Sequence, residues 1–282
     1  MPVRIRLLLL SCCIHSFAHA QEQLVEPVAE TMVAATANPE PVVSYRPQVV
    51  LEPQIRPFIT DDARVVGGRL AQVESWFRFD RESGQQWAIV AYGPNERLEL
   101  SLGGVMGYEN KYNGNREFSY ALPLLQGKYL LREYGHGKGP GAALVLGTFL
   151  PGGSGAFKPA GYGTFGFLIA TQCFGPEENV LVHANLGANY LHINGANDLV
   201  STWGIGTQIK TYRQFHLVGE LFSGDPYVPG AGLSYQLGFR HILTDLFQFD
   251  MTLGQGIGGA NPLPFWFSGG IRVVTERFLK KK

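Results

Sequence analysis

The sequence predicts an all-β protein, a transmembrane antiparallel up-and-down β-barrel of about 12 strands with an N-terminal proline-rich arm. Glycine supplies 36 of 282 residues and charged residues only 16%, whereas an ordinary soluble domain has roughly 7% glycine and about 25% charged residues. From about residue 68, segments of some ten residues alternate apolar and polar side chains, as strands do when they cross a bilayer at a tilt. After the first 20 residues, no run approaches the roughly 18 consecutive apolar residues of a membrane-spanning helix.

Residues 1–20 are typical of a signal peptide. Arg4 and Arg6 precede a short apolar segment, and residues 18–20 read Ala-His-Ala, which fits the small-residue cleavage pattern. Two alternatives stay open: a lipoprotein signal ending before Cys12, and an apolar N-terminal segment of the fold.

Residues 21–57 are predicted to be a proline-rich periplasmic linker, because six prolines in this segment disfavour both helix and sheet hydrogen bonding. The segment could serve as a flexible tether, a partner-binding arm or a plug, and the tether is the default expectation. The outer-membrane barrel is expected to occupy residues 58–282.

Twelve strands are predicted from the alternating pattern and from the Gly, Pro, Asn and Asp clusters that separate its segments. They cover residues 69–80, 86–92, 97–106, 119–131, 141–150, 162–172, 179–191, 200–211, 214–222, 232–242, 247–257 and 264–276. An even number of strands places both chain ends on the periplasmic side.

Seven of these strands confine their charged residues to one face. In 69–80, for example, Val73 and Phe79 lie on one face while Glu74 and Arg78 lie on the other. A soluble β-sandwich also alternates, but its strands are usually about 5–6 residues long. Short connections also alternate with longer ones (107–118, 151–161, 192–199, 223–231 and 258–263), as periplasmic turns and extracellular loops do in barrels.

The polar faces predict the residues that line the lumen. Their charges are of both signs, which favours paired networks between neighbouring strands over a single-sign selectivity ring. Two interpretations stay open: pairs that only fill and rigidify the interior, and a polar pathway. The lumen-lining candidates are Glu74, Arg78, Asp80, Arg97, Glu99, Lys128, Glu220, Arg240, Asp250, Arg272 and Glu276.

The sequence gives no reason to expect an enzyme, a metal site or a cofactor. The histidines lack metal-ligand spacing, and no G-x-S-x-G motif exposes a nucleophilic serine. The 23 basic and 23 acidic residues balance, which argues against nucleic-acid binding. Glycines within the strands, among them Gly204 and Gly206, are expected to mark bends or close approaches in a barrel.

Five motifs resemble, in matching order over roughly residues 57–278, the family of outer-membrane barrel transporters associated with the meta-pathway of phenol degradation. They are Phe-Ile-Thr-Asp-Asp at 58–62, Tyr-Gly-Pro-Asn-Glu-Arg-Leu-Glu-Leu at 92–100, Gly-Thr-Phe-Leu-Pro-Gly-Gly at 147–153, His-Ala-Asn-Leu-Gly at 183–187, and Gly-Phe-Arg-His-Ile-Leu-Thr-Asp at 238–245 with Gln-Phe-Asp at 248–250. The family has no defined catalytic set to transfer. Barrels of this type commonly end on an aromatic residue, whereas here Phe278 is followed by Leu279 and three lysines.

The resemblance implies a channel or transporter in the bacterial outer membrane that passes small, hydrophobic or aromatic molecules. The alternative is a closed structural or anchoring barrel whose N-terminal arm binds a periplasmic partner. The expected partners are outer-membrane lipid, the barrel assembly machinery and a small apolar or aromatic solute.

Overall fold

The computed structural model describes residues 59–110, 115–135, 139–175, 179–193, 196–225, 228–259 and 262–275. These residues form strands almost throughout. The strands are β1 (Ala71–Asp80), β2 (Ser83–Asn95), β3 (Leu98–Asn110), β4 (Arg116–Arg132), β5 (Gly141–Phe149), β6 (Gly153–Ser154), β7 (Gly161–Phe174), β8 (Val180–Ile193), β9 (Ala196–Tyr212), β10 (Phe215–Asp225), β11 (Val228–Thr244), β12 (Phe247–Gly256) and β13 (Trp266–Val274). A single-turn 3-10 helix, Gly155–Phe157, follows β6.

The sheet closes on itself as an antiparallel barrel. Each long strand pairs with its neighbours in sequence, β3 pairs with β4, and β1 pairs with β13 in a register that sets Val73 opposite Val273. The twelve predicted strands are confirmed. The additional strand, β6, has two residues and lies against β4 within the connection from β5 to β7.

The two faces of the barrel have opposite chemistry. Leu168, on β7, is 55% exposed on the outer face, whereas Thr171, three residues later, is fully buried in the interior. The same alternation holds around the barrel, so its outer surface is a belt of exposed leucine, isoleucine, valine and aromatic side chains. Such a surface is suited to hydrocarbon and not to water, which confirms the predicted membrane barrel.

The two barrel ends are named here by β1. The near end holds Ala71, where β1 starts, and the far end holds Asp80, where β1 stops. The near end corresponds to the predicted periplasmic side.

The loop asymmetry expected from the sequence is largely absent. Two of the predicted far-end loops are strand instead, because β8 runs to Ile193, β9 starts at Ala196, β10 runs to Asp225 and β11 starts at Val228. The physical reason is that polar residues extend the hydrogen-bonded ladder beyond the apolar belt, as where His192 pairs with Asn197. The long far-end connections that remain are 150–160 and 257–265.

Among the described residues, no helix is long and apolar enough to cross a bilayer.

Candidate functional site

A segment of chain that precedes β1 lies inside the barrel. We call residues 59–66 the plug segment. Within it Thr60, Ala63 and Val66 are each at most 2% exposed, although none belongs to a strand. The only way for an irregular segment to be so buried here is to lie in the lumen, surrounded by the inner faces of the strands.

Side chains of the barrel wall accept hydrogen bonds from the backbone N–H groups of the plug segment. The carboxylate of Glu220 on β10 accepts hydrogen bonds from the backbone N–H groups of Ile59 and Thr60, at 3.3 and 2.7 Å. Three strands away around the barrel, on β7, the Thr171 hydroxyl accepts a hydrogen bond from the N–H of Ala63 at 2.9 Å. Because buried backbone donors are costly when unpaired, these contacts fix where the segment lies.

A third wall contact lies at the near end. The N–H of Val66 donates to the Glu99 carboxylate on β3 at 2.8 Å. Glu220, Thr171 and Glu99 thus hold the plug segment from three strands, β10, β7 and β3, which places it across the lumen and not along one wall.

A buried ion pair adds to this attachment. The Lys128 ammonium on β4 lies 2.9 Å from Asp61 Oδ2 and 3.7 Å from Asp62 Oδ1. All three side chains are at most 8% exposed. Since an isolated charge in such surroundings costs several kcal/mol, each partner depends on the other for its ionised state.

Two glycines of β9 make room for the plug segment. A Cβ atom at Gly206 would lie 3.3 Å from the Cβ of Thr60, and one at Gly204 would overlap the Thr60 hydroxyl. The sequence predicted close approaches at these two glycines, and the structure supplies the partner. The sequence marked this segment only through the Phe-Ile-Thr-Asp-Asp motif of the resemblance, and the alternating pattern gave no reason to place the motif inside the lumen.

Most of the predicted lumen-lining residues face the interior. Those at most 9% exposed are Glu74, Arg78, Glu99, Lys128, Glu220, Arg240, Asp250 and Arg272. Asp80 is partly buried at the far end of β1, with its carboxylate 3.9 Å from Arg78 Nε. Their role in solute passage stays a prediction.

Arg97 does not face the lumen. It lies exposed in the turn between β2 and β3, because the side-chain oxygen of Asn95 accepts the N–H groups of Arg97 and Leu98 and ends the strand there. Glu276 lies outside the described residues.

The polar residues connect strands of the barrel, both neighbouring strands and strands one apart. Arg240 on β11 donates to Gln208 on β9 at 2.7 Å and lies 3.9 Å from Asp250 on β12. Arg272 on β13 donates to Gln72 on β1 at 2.7 Å. These contacts form the cross-strand networks that mixed lumen charges predict.

Beside these polar groups the interior carries an apolar cluster, which the sequence pattern did not reveal. We call the apolar residues on the inner faces of β2, β4, β5 and β7 the apolar wall; the same faces also carry Lys128 and Thr171. Its members share near-complete burial, and they are Trp87, Ile89, Ala121, Leu124, Ala143, Val145, Phe165, Phe167 and Ile169. None of these four strands is among the seven whose charged residues the sequence confines to one face, and in β5 and β7 the signal was apolarity on both faces.

A cavity of about 440 Å³ lies against the apolar wall at the far end. We call it the far-end cavity. Trp87, Leu124 and Phe149 line it from the barrel wall, and Phe157 lines it from the connection between β5 and β7. The ring of Trp87 stacks on Trp76, with centroids 5.6 Å apart and planes 5° apart. The cavity is therefore shaped by rigid aromatic surfaces.

The same cavity reaches the outer face of the barrel. Leu122 and Tyr162 line it and are 52% and 58% exposed on the outside. β4 pairs with β5 from Leu124 onward. Beyond it, β4 is joined to the connection that follows β5, through the N–H of Leu150 to the carbonyl of Pro123 and the N–H of Leu122 to the carbonyl of Gly152, each at 3.2 Å, and through the two residues of β6. The cavity thus lies beside a part of the wall that is formed by a connection and not by a long strand.

Within the described ranges, no group of three or more His, Cys, Asp or Glu side chains is arranged to hold a metal ion. His183, on the interior face of β8, has its Nδ1 3.0 Å from the Thr171 hydroxyl. That contact places His183 beside the plug segment as a structural neighbour.

Comparison with known proteins identifies the fold. No protein-family model matches the sequence, and no curated protein matches it. An outer-membrane channel from Pseudomonas putida F1 is similar in structure, with a TM-score of 0.59 at 10% identity, over 79% of this chain and 100% of that one. The KdgM porin is similar with a TM-score of 0.50 at 8% identity, over 72% of this chain and 98% of the porin. At these identities the likeness concerns the fold alone, and the chain has the fold of a twelve-stranded outer-membrane β-barrel.

Proposed function

We propose that this chain is an outer-membrane channel for small hydrophobic or aromatic molecules. The observation that carries the proposal is the far-end cavity, an aromatic-lined space of about 440 Å³ inside a membrane barrel. Its volume lies in the range of sites that bind small organic molecules. The resemblance to transporters of the phenol-degradation pathway and the similarity to outer-membrane channels support the same function.

The plug segment argues against free flow of hydrophilic solutes. It crosses the lumen and is attached by charged and backbone hydrogen bonds to β3, β4, β7 and β10. A hydrophobic solute has another way out. It can enter the cavity from the far end and leave between β4 and β7, where Leu122 and Tyr162 connect the cavity to the hydrocarbon.

The test is uptake of the neutral dye N-phenyl-1-naphthylamine, which fluoresces on reaching lipid, by cells that do or do not express the chain. Ala121→Phe fills the far-end cavity, because Ala121 lines it and is 7% exposed. Ala184→Phe is the matched control, since it adds the same ring to the exposed outer face of β8. We expect expression to speed uptake, A121F to abolish the gain and A184F to leave it. Equal uptake with and without the chain would refute the proposal.

A closed anchoring barrel is the second candidate, and the occluded lumen favours it. In that case the function lies in residues 21–57, which lie outside the described residues. Deletion of 21–57 separates the two functions. Loss of a co-purifying periplasmic partner with unchanged dye uptake would support the anchor, whereas an unchanged set of partners would speak against it.

A further inference from the structure

Among the described residues that line the far-end cavity, Lys158 alone carries a charge, and this charge is positive. Lys158 lines the cavity directly after the short 3-10 helix and is exposed toward water. Among the described residues, no acidic side chain lines the cavity, and the Lys158 ammonium has no ion pair or hydrogen bond. The lysine is therefore a free cation at the aqueous mouth of an apolar space.

The cavity has two uncharged polar side chains in its described lining, Gln85 and Tyr162. The side-chain oxygen of Gln85 accepts the indole N–H of Trp87 at 3.1 Å, and its amide group donates to Ser83 at 3.2 Å. Gln85 thus orients the Trp87 ring, and Lys158 is the described lining residue that can neutralise a charged part of a solute.

From this placement we infer that the far-end cavity selects apolar or aromatic molecules that carry a carboxylate. The carboxylate would lie at Lys158, and the ring would lie against Trp87 and Phe149. An ionised group cannot go deeper, because burying an unpaired charge in apolar surroundings is far more costly than leaving it hydrated. An ammonium group at the same mouth would meet a like charge. This inference rests on the proposed function, since it specifies the substrate class of the same cavity.

The experiment measures binding of three naphthalene probes that differ only in their head group. They are 2-naphthoate, 2-naphthylmethanol and 2-naphthylmethylammonium, titrated calorimetrically against the full chain in lipid nanodiscs. The cavity-filled variant Ala121→Phe gives the heat from partition into lipid, which is subtracted. We expect naphthoate to bind most tightly and the ammonium probe most weakly.

Variants of Lys158 test whether its charge causes the preference for naphthoate. Lys158→Gln should weaken naphthoate binding about twofold to fivefold, the range of one exposed ion pair, and should leave naphthylmethanol unchanged. Lys158→Glu should reverse the order of the two charged probes. Raising the salt concentration should reduce the preference in the wild-type chain. Arg81→Gln is the matched control, because Arg81 is an exposed cation of the far end that does not line the cavity.

The outcomes separate this inference from the proposed function. If naphthylmethanol binds and fills the cavity but naphthoate shows no preference, the inference is wrong and the proposed function stands. If R81Q weakens naphthoate binding as much as K158Q does, the effect belongs to the general surface charge and the inference is also wrong. If no probe binds above the A121F value, the proposed function fails.

Discussion

Removing the Lys128 ammonium should release the plug segment from the lumen. In Lys128→Met the two carboxylates of Asp61 and Asp62 would stay buried, at most 8% exposed, without the cation that lies 2.9 and 3.7 Å away. Loss of one partner of a buried ion pair typically costs about 3–5 kcal/mol. That cost falls on the plugged state alone, because the carboxylates regain water once the segment leaves the lumen.

The change should be large enough to observe directly. With a factor of ten for each 1.4 kcal/mol, the ratio of open to plugged barrels should rise by about two to three and a half orders of magnitude. Glu220, Glu99 and Thr171 still hold the segment, so we expect frequent transitions to a higher conductance and not a permanently open pore. The assay is single-channel recording in planar bilayers, with the shift of the unboiled band on a cold detergent gel as the check of folding.

A compensated variant tests the electrostatic cause. Lys128→Met combined with Asp61→Asn and Asp62→Asn removes all three charges of the cluster, so the penalty for an uncompensated buried carboxylate, which arises when one partner alone is removed, no longer applies. The triple variant should return to the low conductance of the wild type. A folded K128M barrel that records like the wild type would refute the reasoning, and so would a triple variant as open as K128M.

Two further predictions concern the barrel itself. Gly254→Val should weaken the barrel by about 1–3 kcal/mol, because a Cβ atom at this position overlaps the Trp266 ring. Gly127→Val should have little effect, since the atom nearest to a Cβ there is 3.8 Å away. The temperature at which the cold-gel band shift is lost measures the stability of both variants, and equal temperatures would contradict the packing argument. Leu168→Arg, on the lipid face of β7, should lower the free energy of unfolding by about 2–4 kcal/mol, as expected near the bilayer midplane. Tyr162→Arg, at the strand end, should lower it by about 0–1 kcal/mol. Urea unfolding in vesicles compares the two variants, and equal losses would place the bilayer elsewhere on the barrel.

The strands and their faces were predictable because they depend on a local signal. A period of two residues determines which side chains share a face, so Glu74 and Arg78 could be assigned to the interior from β1 alone. Arg97 was misassigned because a strand end depends on turn chemistry, here the Asn95 side chain, which alternation does not report.

The plug segment could not be placed from sequence because its contacts are long-range. Ile59 and Glu220, for example, are 161 residues apart in the chain. No periodicity connects such a pair, and a short irregular segment before a strand is usually a linker. The apolar wall was missed for a different reason. The inner face of every strand was expected to be the polar one, and this expectation gives no inner face to strands such as β5 and β7, which are apolar on both sides.

The plug segment and the far-end cavity control different solutes, and this separation can be tested. Ions must pass the lumen, which the segment around Asp61 crosses, whereas a hydrophobic solute needs only the cavity and the part of the wall beside Leu122. Lys128→Met should therefore raise ionic conductance and leave uptake of N-phenyl-1-naphthylamine unchanged, while Ala121→Phe should reduce uptake and leave conductance unchanged. If instead K128M accelerates dye uptake in proportion to its conductance, both solutes share the lumen, and the exit between β4 and β7 is wrong.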